Sequence, residues 1–184
     1  EIIAIGSELT SGAKLDTNSQ WLSIELSALG IPVCYHQTMA DDRAAMLEVF
    51  RTAVSRSDVV LITGGLGPTL DDLTRELIAE LLGTDLALDE TSLKIIEEMF
   101  AKRGRKMAER NRIQAMFPVG SKPLPNPIGT APGVWAEVPR DGKAPCRLAA
   151  MPGVPSEMRR MYREQVEPKL PHGEQVIRRS TVHT

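Results

Sequence analysis

Cysteine is scarce: Cys34 and Cys146 are the only two in 184 residues. They are too few for a disulfide framework, and they lack the paired spacing of a zinc site. A reducing cytoplasm is therefore the expected compartment. Aromatic residues make up 4% of the chain, which argues against a stacking platform for single-stranded nucleic acid. Charge of one sign is not in excess. The 22 Lys and Arg face 24 Asp and Glu, a net charge of −2, so no global attraction draws the chain to nucleic acid or to an anionic membrane. Long apolar runs are missing too: the longest among the strand candidates, residues 59–62, falls far below the ~20 residues of a membrane helix. His36, His172 and His183 lie far apart without metal-ligand spacing. No Ser-His-Asp or Cys-His arrangement can be argued.

What is present is ordinary globular material, with 42% apolar and 25% charged residues. One domain over residues 1–170 is expected. Residues 171–184 read as a linker or the start of a following subdomain, because 176–182 look like a strand with no closing partner. The start is equally abrupt, with strand-like Ile2-Ile3-Ala4-Ile5 directly after Glu1. No basic segment followed by an apolar run marks a leader. A longer parent protein is the expectation.

Strands and helical periods alternate. Ile2–Ile5 ends at Gly6, and Asp16-Thr17-Asn18 offers caps for a helix carrying Trp21, Leu22, Leu26 and Leu29 and closed by Gly30. Residues 31–39 read as a strand, and Asp41-Asp42 opens a helix striped by Met46, Val49, Phe50 and Ala53. Residues 58–63 read as a strand buried on both faces. Leu73, Leu77 and Leu81 mark a helix stopping at Gly83. Leu93, Ile96 and Phe100 form another stripe, and Ile113, Met116 and Phe117 a further one. Short strands at 133–138 and 147–151 and a last helix with Val154, Met158, Met161 and Tyr162 complete the chain. This β-α-β-α-β-α order predicts an α/β fold with a mostly parallel sheet covered by helices on both faces.

The segment Thr63-Gly64-Gly65-Leu66-Gly67-Pro68-Thr69-Leu70-Asp71-Asp72-Leu73-Thr74 joins a buried strand to a helix. Open α/β sheets place ligands there. Glycines let backbone N–H groups approach an anion closely, and the following helix N-terminus favours phosphate. The segment is neither a Walker loop nor a dinucleotide fingerprint. Asp71 and Asp72 would repel a phosphate unless a cation lay between, so glycines and acids together point to a metal–phosphate site. The plainer alternative makes one Asp a helix cap.

Glu8 and Asp16 follow the first strand and belong to the same edge. They could add carboxylates to the metal or bind ribose hydroxyls, and Asp16 is equally explained as a cap. Asn111 and Gln114 share a helical face, and two amides can read a base or pterin edge. The turn-rich residues 126–133, with Asn126, Gly129 and Thr130, suit a ligand-covering loop. Gly153 and Glu157 lie in another strand-to-helix turn, where Glu157 also suits a helix first turn. The basic run at 102–106 reads as a solvated turn or a screen for a substrate phosphate.

Taken in order, these segments resemble the amino-terminal domain of the CinA (competence/damage-inducible protein A) family, in the molybdopterin-binding or MoCF-like superfamily. The resemblance covers nearly the whole chain, and the 63–74 string is its most specific part. It implies a three-layer α/β/α fold and a ligand site at the carboxyl edge of the sheet. It also implies metal-dependent hydrolysis of a nucleotide diphosphate, ADP-ribose to AMP and ribose 5-phosphate, with Mg²⁺, Mn²⁺ or Co²⁺ and K⁺ as a further candidate. The alternatives are molybdopterin binding in molybdenum-cofactor biosynthesis and a non-catalytic ligand sensor. Asp72 and Asp71 are the metal candidates, joined by Glu8 as catalytic candidates. Substrate binding falls to Gly64, Gly65, Gly67, Thr69 and Thr74 in the loop, to Asp16 and Asn18, and to Asn111 and Gln114. Asn126, Gly129, Thr130, Gly153 and Glu157 complete that set. The expected partner is a dinucleotide or pterin, with no nucleic acid and no membrane, and relatives that associate make a homodimer the expectation. Thr10 departs from the family, where an aliphatic residue is usual. A nicotinamide-mononucleotide deamidase domain, found in many members, is not encoded by these residues.

Overall fold

A computed structural model of the chain describes residues 1–171. The strand expected at 176–182, His172, His183 and all but the first residue of the 171–184 segment lie outside the described residues.

Strand β1 is Ile2–Ile5, buried throughout. A short helix α1, Ser7–Thr10, precedes α2, Thr17–Ala28, whose first turn is capped by Asp16 accepting from Ser19 N at 2.9 Å. Strand β2, His36–Met39, is followed by α3, Arg43–Arg56, where Asp42 accepts from Ala45 N at 2.9 Å. Strand β3, Val59–Thr63, leads through the glycine loop to α4, Thr74–Leu82, which Gly83 ends in the left-handed region at φ 66°. Strand β4, Leu86–Leu88, precedes α5, Glu90–Lys102, and a 3₁₀ helix over Glu109–Ala115. Strands β5, Met116–Pro118, and β6, Lys122–Leu124, lead to the hairpin of β7, Gly133–Arg140, and β8, Lys143–Met151. Helix α6, Pro155–Met161, continues through a π turn, Tyr162–Val166, into a 3₁₀ turn, Glu167–Lys169.

Among the described residues six strands form one sheet in the order β2-β1-β3-β8-β7-β6, and β4 pairs with β5 separately. The β2–β1, β1–β3 and β3–β8 pairs are parallel, and the β8–β7 and β7–β6 pairs antiparallel. The sheet is therefore mostly parallel, as the order of elements predicts. Both faces are covered. On β3, Val60 and Ile62 pack with Met46 and Phe50 of α3 and Leu77 of α4. Val59 and Leu61 pack on the other face with Leu22 and Leu26 of α2 and Met158 of α6. Alternation along one strand thus feeds two cores, which is the three-layer α/β/α arrangement.

Four local readings are corrected. The 31–39 strand is regular only from His36, because Pro32 donates no ladder bond and Ile31 and Val33 pack on the α2 side instead. The stripe through Ile113, Met116 and Phe117 is not one helix. The 3₁₀ turns stop at Ala115, and Phe117 enters the core from β5, which pairs antiparallel with β4. The last two strands extend beyond 133–138 and 147–151 because their antiparallel pairing continues towards Asp141-Gly142. Val154 precedes the last helix rather than packing within it.

From β1 the chain steps to β2 on one side and then to β3 on the other. The loops leaving β1 and β3 diverge at that reversal, opening a crevice at the carboxyl ends of the strands. Among the described residues no helix is long and apolar enough to cross a membrane.

Candidate functional site

The crevice is a cavity of about 660 Å³ lined by the loops after β1, β2, β3 and β8 and by Gln114 and Thr130. Among the described residues Glu8, Asp16, Asp41, Asp71, Asp72 and Glu157 line it, against one basic residue, Lys14, which pairs with Glu8 at 3.6 Å. An anionic ligand would meet net repulsion there unless a cation accompanied it.

The glycine loop is built by close approaches. A Cβ on Gly64 would stand 2.3 Å from the Ile5 carbonyl oxygen, and one on Gly65 2.2 Å from Thr74 Oγ1. Both glycines have positive φ, 100° and 64°. Thr74 is fully buried, donates its hydroxyl to the Gly64 carbonyl at 3.1 Å, and donates its backbone N–H to Gly65 O at 3.2 Å. It fastens the loop to α4 from behind and does not line the cavity.

Asp72 faces its own loop. Its Oδ1 accepts from Gly67 N at 2.7 Å, and its Oδ2 accepts from Thr69 N at 2.9 Å and from the Thr69 hydroxyl. The N-cap position of α4 is occupied by Leu73, which makes no side-chain capping bond, so Asp72 is not that helix's cap. Two amides expected to hold a phosphate, those of Gly67 and Thr69, are already bound to Asp72. A Cβ on Gly67 would lie 2.4 Å from Asp72 Oδ2, so this glycine makes room for the carboxylate. Thr69 serves Asp72 and is not on the cavity wall, whereas Asp71 is exposed on it. The nearby Thr69 hydroxyl and Asp71's own N–H hold the Asp71 carboxyl below its ordinary range.

Behind the loop lies Arg75, only 2% exposed. It donates to Leu66 O at 2.9 Å and to Pro132 O at 3.1 Å, while its Nε has no hydrogen-bond partner. Burial pushes its pKa down to about 10, partly opposed by the charge of Asp72. This guanidinium joins the glycine loop to the 126–133 loop. Sequence reasoning missed it, as it missed Lys14 and Asp41. Asp41 follows the carboxyl end of β2 and accepts from Ser7 N at 3.2 Å and Ser7 Oγ at 3.0 Å. The parallel-sheet rule that placed Glu8 at this edge applies equally to Asp41.

The amides divide into those that face the cavity and those that orient a neighbour. Gln114 lines the cavity, and Asn111 stands off the wall, donating to Gln114 Oε1 at 3.0 Å. That bond leaves the Gln114 Nε2 for a ligand. Asn126 is buried and off the wall. Its Oδ1 accepts from Gly129 N at 3.0 Å, and its Nδ2 donates to Ala131 O at 3.0 Å and Glu157 Oε2 at 2.7 Å. Gly129 is buried under Glu157, where a Cβ would meet Oε2 at 2.2 Å. Asn126 and Gly129 therefore shape the loop and aim Glu157, while Thr130 and Glu157 line the cavity. Asn18 lines it as well and donates to Gly153 O at 2.8 Å. Asp16 caps α2, one of the two readings given for it, and also lines the cavity.

Among the described residues no three His, Cys, Asp or Glu side chains form a metal-holding cluster. The donor set instead suits a hard cation held by one or two carboxylates and completed by substrate phosphates and water, the usual manner of Mg²⁺.

The family profile described as "Probable molybdopterin binding domain" matches residues 1–172. A "CinA-like protein" of Gloeothece citriformis is 46% identical over 171 residues, covering 92% of this chain and 40% of that protein. The chain spans about two fifths of the length of the curated relatives it matches. The crystal structure of CinA from Thermoplasma acidophilum, described as of unknown function, superposes with a TM-score of 0.79 and 32% identity. That match covers 91% of this chain and 95% of the other. The molybdopterin biosynthesis enzyme MoaB of Thermus thermophilus gives 0.60 at 20% identity, over 93% and 90% of the two chains, a likeness of fold alone.

Proposed function

The chain belongs to the molybdopterin-binding-domain family, in its CinA branch, and on that premise we propose that it hydrolyses a nucleotide diphosphate bond with a divalent cation, converting ADP-ribose to AMP and ribose 5-phosphate. The supporting observation is the pairing of a glycine loop at the sheet's reversal with six carboxylates and a single lysine, among the described residues, around one cavity. A diphosphate fits beside those carboxylates only when a cation offsets the charge.

Asp71, with Asp72 beside it, would hold Mg²⁺, Mn²⁺ or Co²⁺. The bound cation would supply charge neutralisation at the phosphoryl oxygens and a more acidic water. The chain's own residues do the rest. Asp72 fixes the loop conformation through Gly67 and Thr69. Glu8, the third catalytic carboxylate of the proposal, lies on the same wall. Gln114 Nε2, oriented by Asn111, donates to the nucleoside. Cytoplasmic location, homodimerisation and a role for K⁺ belong to the same proposal.

Molybdopterin binding is the second reading, favoured by the description of the matching family. The two separate in one assay. Purified protein is incubated with ADP-ribose, FAD, NADH or a pterin, with and without Mg²⁺, Mn²⁺ or Co²⁺. Metal-dependent AMP release supports hydrolysis. Tight pterin binding without turnover of any dinucleotide supports the second reading and overturns the first.

A further inference from the structure

Two exposed aliphatic side chains stand on the wall of this cavity. Leu15 is 86% exposed and Val154 50%, and both line it. They belong to separate segments, the loop before α2 and the turn before α6, which the Asn18–Gly153 hydrogen bond ties together at 2.8 Å. Leu15 lies three residues before Asn18 and Val154 directly after Gly153, so both flank the same tie. Pro155, also on the wall, extends the apolar surface. The glycine loop is adjacent, since a Cβ on Gly153 would stand 3.6 Å from Gly64 Cα.

Asn18 is 8% exposed, and its Oδ1 is buried without a hydrogen-bond partner among the described residues. With Nδ2 committed to Gly153 O, the amide cannot turn to satisfy that acceptor internally. An unpaired buried acceptor is costly, and a ligand N–H entering beside Gly153 would supply the missing donor. A leucine left in water gains burial only if an apolar surface covers it. Phosphates offer none. A planar heterocycle offers apolar faces together with a polar edge.

We propose that Leu15, Val154 and Pro155 form an aliphatic slot for a planar nitrogen heterocycle bearing an exocyclic amine, and that Asn18 Oδ1 accepts from that amine. Adenine and a pterin share this chemistry. The slot rests on the proposed function in that its occupant is the heterocyclic end of a ligand whose phosphates lie along the glycine loop.

The test uses calorimetry on the whole chain with Leu15→Ser, Val154→Ser and the double variant. AMP, ribose 5-phosphate and neopterin are the probes, each with Mg²⁺. Both side chains are exposed, so melting temperatures should match the parent's and show that the fold survives. Each single variant should weaken AMP about tenfold through lost apolar contact, the double variant more, with ribose 5-phosphate unchanged. Loss confined to neopterin supports the slot while overturning the hydrolase. Unchanged AMP and neopterin affinity in the double variant overturns the slot, even if the parent still hydrolyses ADP-ribose. Equal weakening of ribose 5-phosphate overturns it too, as does failure of the parent to bind either heterocycle.

Discussion

Replacing Asp72 by asparagine tests whether this carboxylate builds the glycine loop. In the parent it accepts from Gly67 N at 2.7 Å, from Thr69 N at 2.9 Å and from the Thr69 hydroxyl. Asparagine keeps one oxygen and turns an NH₂ donor towards a backbone donor. One amide of the loop loses its acceptor, and the bonds that survive lose their charge assistance. Hydrogen bonds to charged groups contribute ~1.5–3 kcal/mol each. Asp72 is half-buried, so the lower end applies and the expected loss is ~2 kcal/mol. For a chain of this size that lowers Tm by roughly 4–8 °C. Calorimetry without divalent metal isolates the effect from cation binding. Asp71→Asn is the control, because its carboxylate is exposed and accepts neither the Gly67 nor the Thr69 backbone N–H, and its melting curve should shift far less than that of Asp72→Asn. A Tm for Asp72→Asn within about 1 °C of the parent, or a fall equal to that of Asp71→Asn, would refute the loop-building role.

Gly65→Ala should cost ~2–4 kcal/mol by urea unfolding, because the new Cβ meets Thr74 Oγ1 at 2.2 Å in a left-handed conformation. Gly83→Ala, with a similar φ but nothing within 4 Å, should cost only ~1 kcal/mol. Asn111→Ala should raise the KM for ADP-ribose while leaving kcat nearly unchanged, since it frees Gln114 without touching the reacting atoms. An equal fall in kcat would place Asn111 elsewhere in the mechanism. Burial alone would raise the Glu1 carboxyl, but hydrogen bonds from Arg56, Gln37 and Ser57 hold it below its ordinary 4.5. Its folded-state value is thus lower than its unfolded one, so its contribution is complete above that ordinary value and is lost as pH falls through the folded one. Glu1→Gln should therefore flatten the acid limb of a Tm–pH profile, and an unchanged limb would remove Glu1 from its cause.

Much of the architecture was legible because its causes are local. Asp16, Asp42 and Gly83 mark helix ends by side-chain or backbone chemistry that needs no tertiary partner. The buried run of β3 and its glycine exit likewise placed the cavity. Less legible were features that depend on what a side chain meets. Arg75 looks like a solvated helix residue until Leu66 and Pro132 present carbonyls to it. Asp72 looks like a free metal ligand until the loop folds its amides back onto the carboxylate. Asn126 looks like a ligand amide, yet its hydrogen bonds go to Gly129, Ala131 and Glu157. Met116 and Phe117 continue a helical period in sequence, but pairing with Leu88 and Ala87 outweighs that periodicity.

The proposed hydrolysis requires a cation in this acidic cavity. AMP release from ADP-ribose by the unaltered chain, followed across a titration of Mg²⁺ after removal of bound metal, tests it directly. No turnover is expected without metal, saturable activity as Mg²⁺ rises, and loss of activity on addition of a chelator. AMP release that continues undiminished in excess chelator, or none at any concentration of Mg²⁺, Mn²⁺ or Co²⁺, would contradict the proposal.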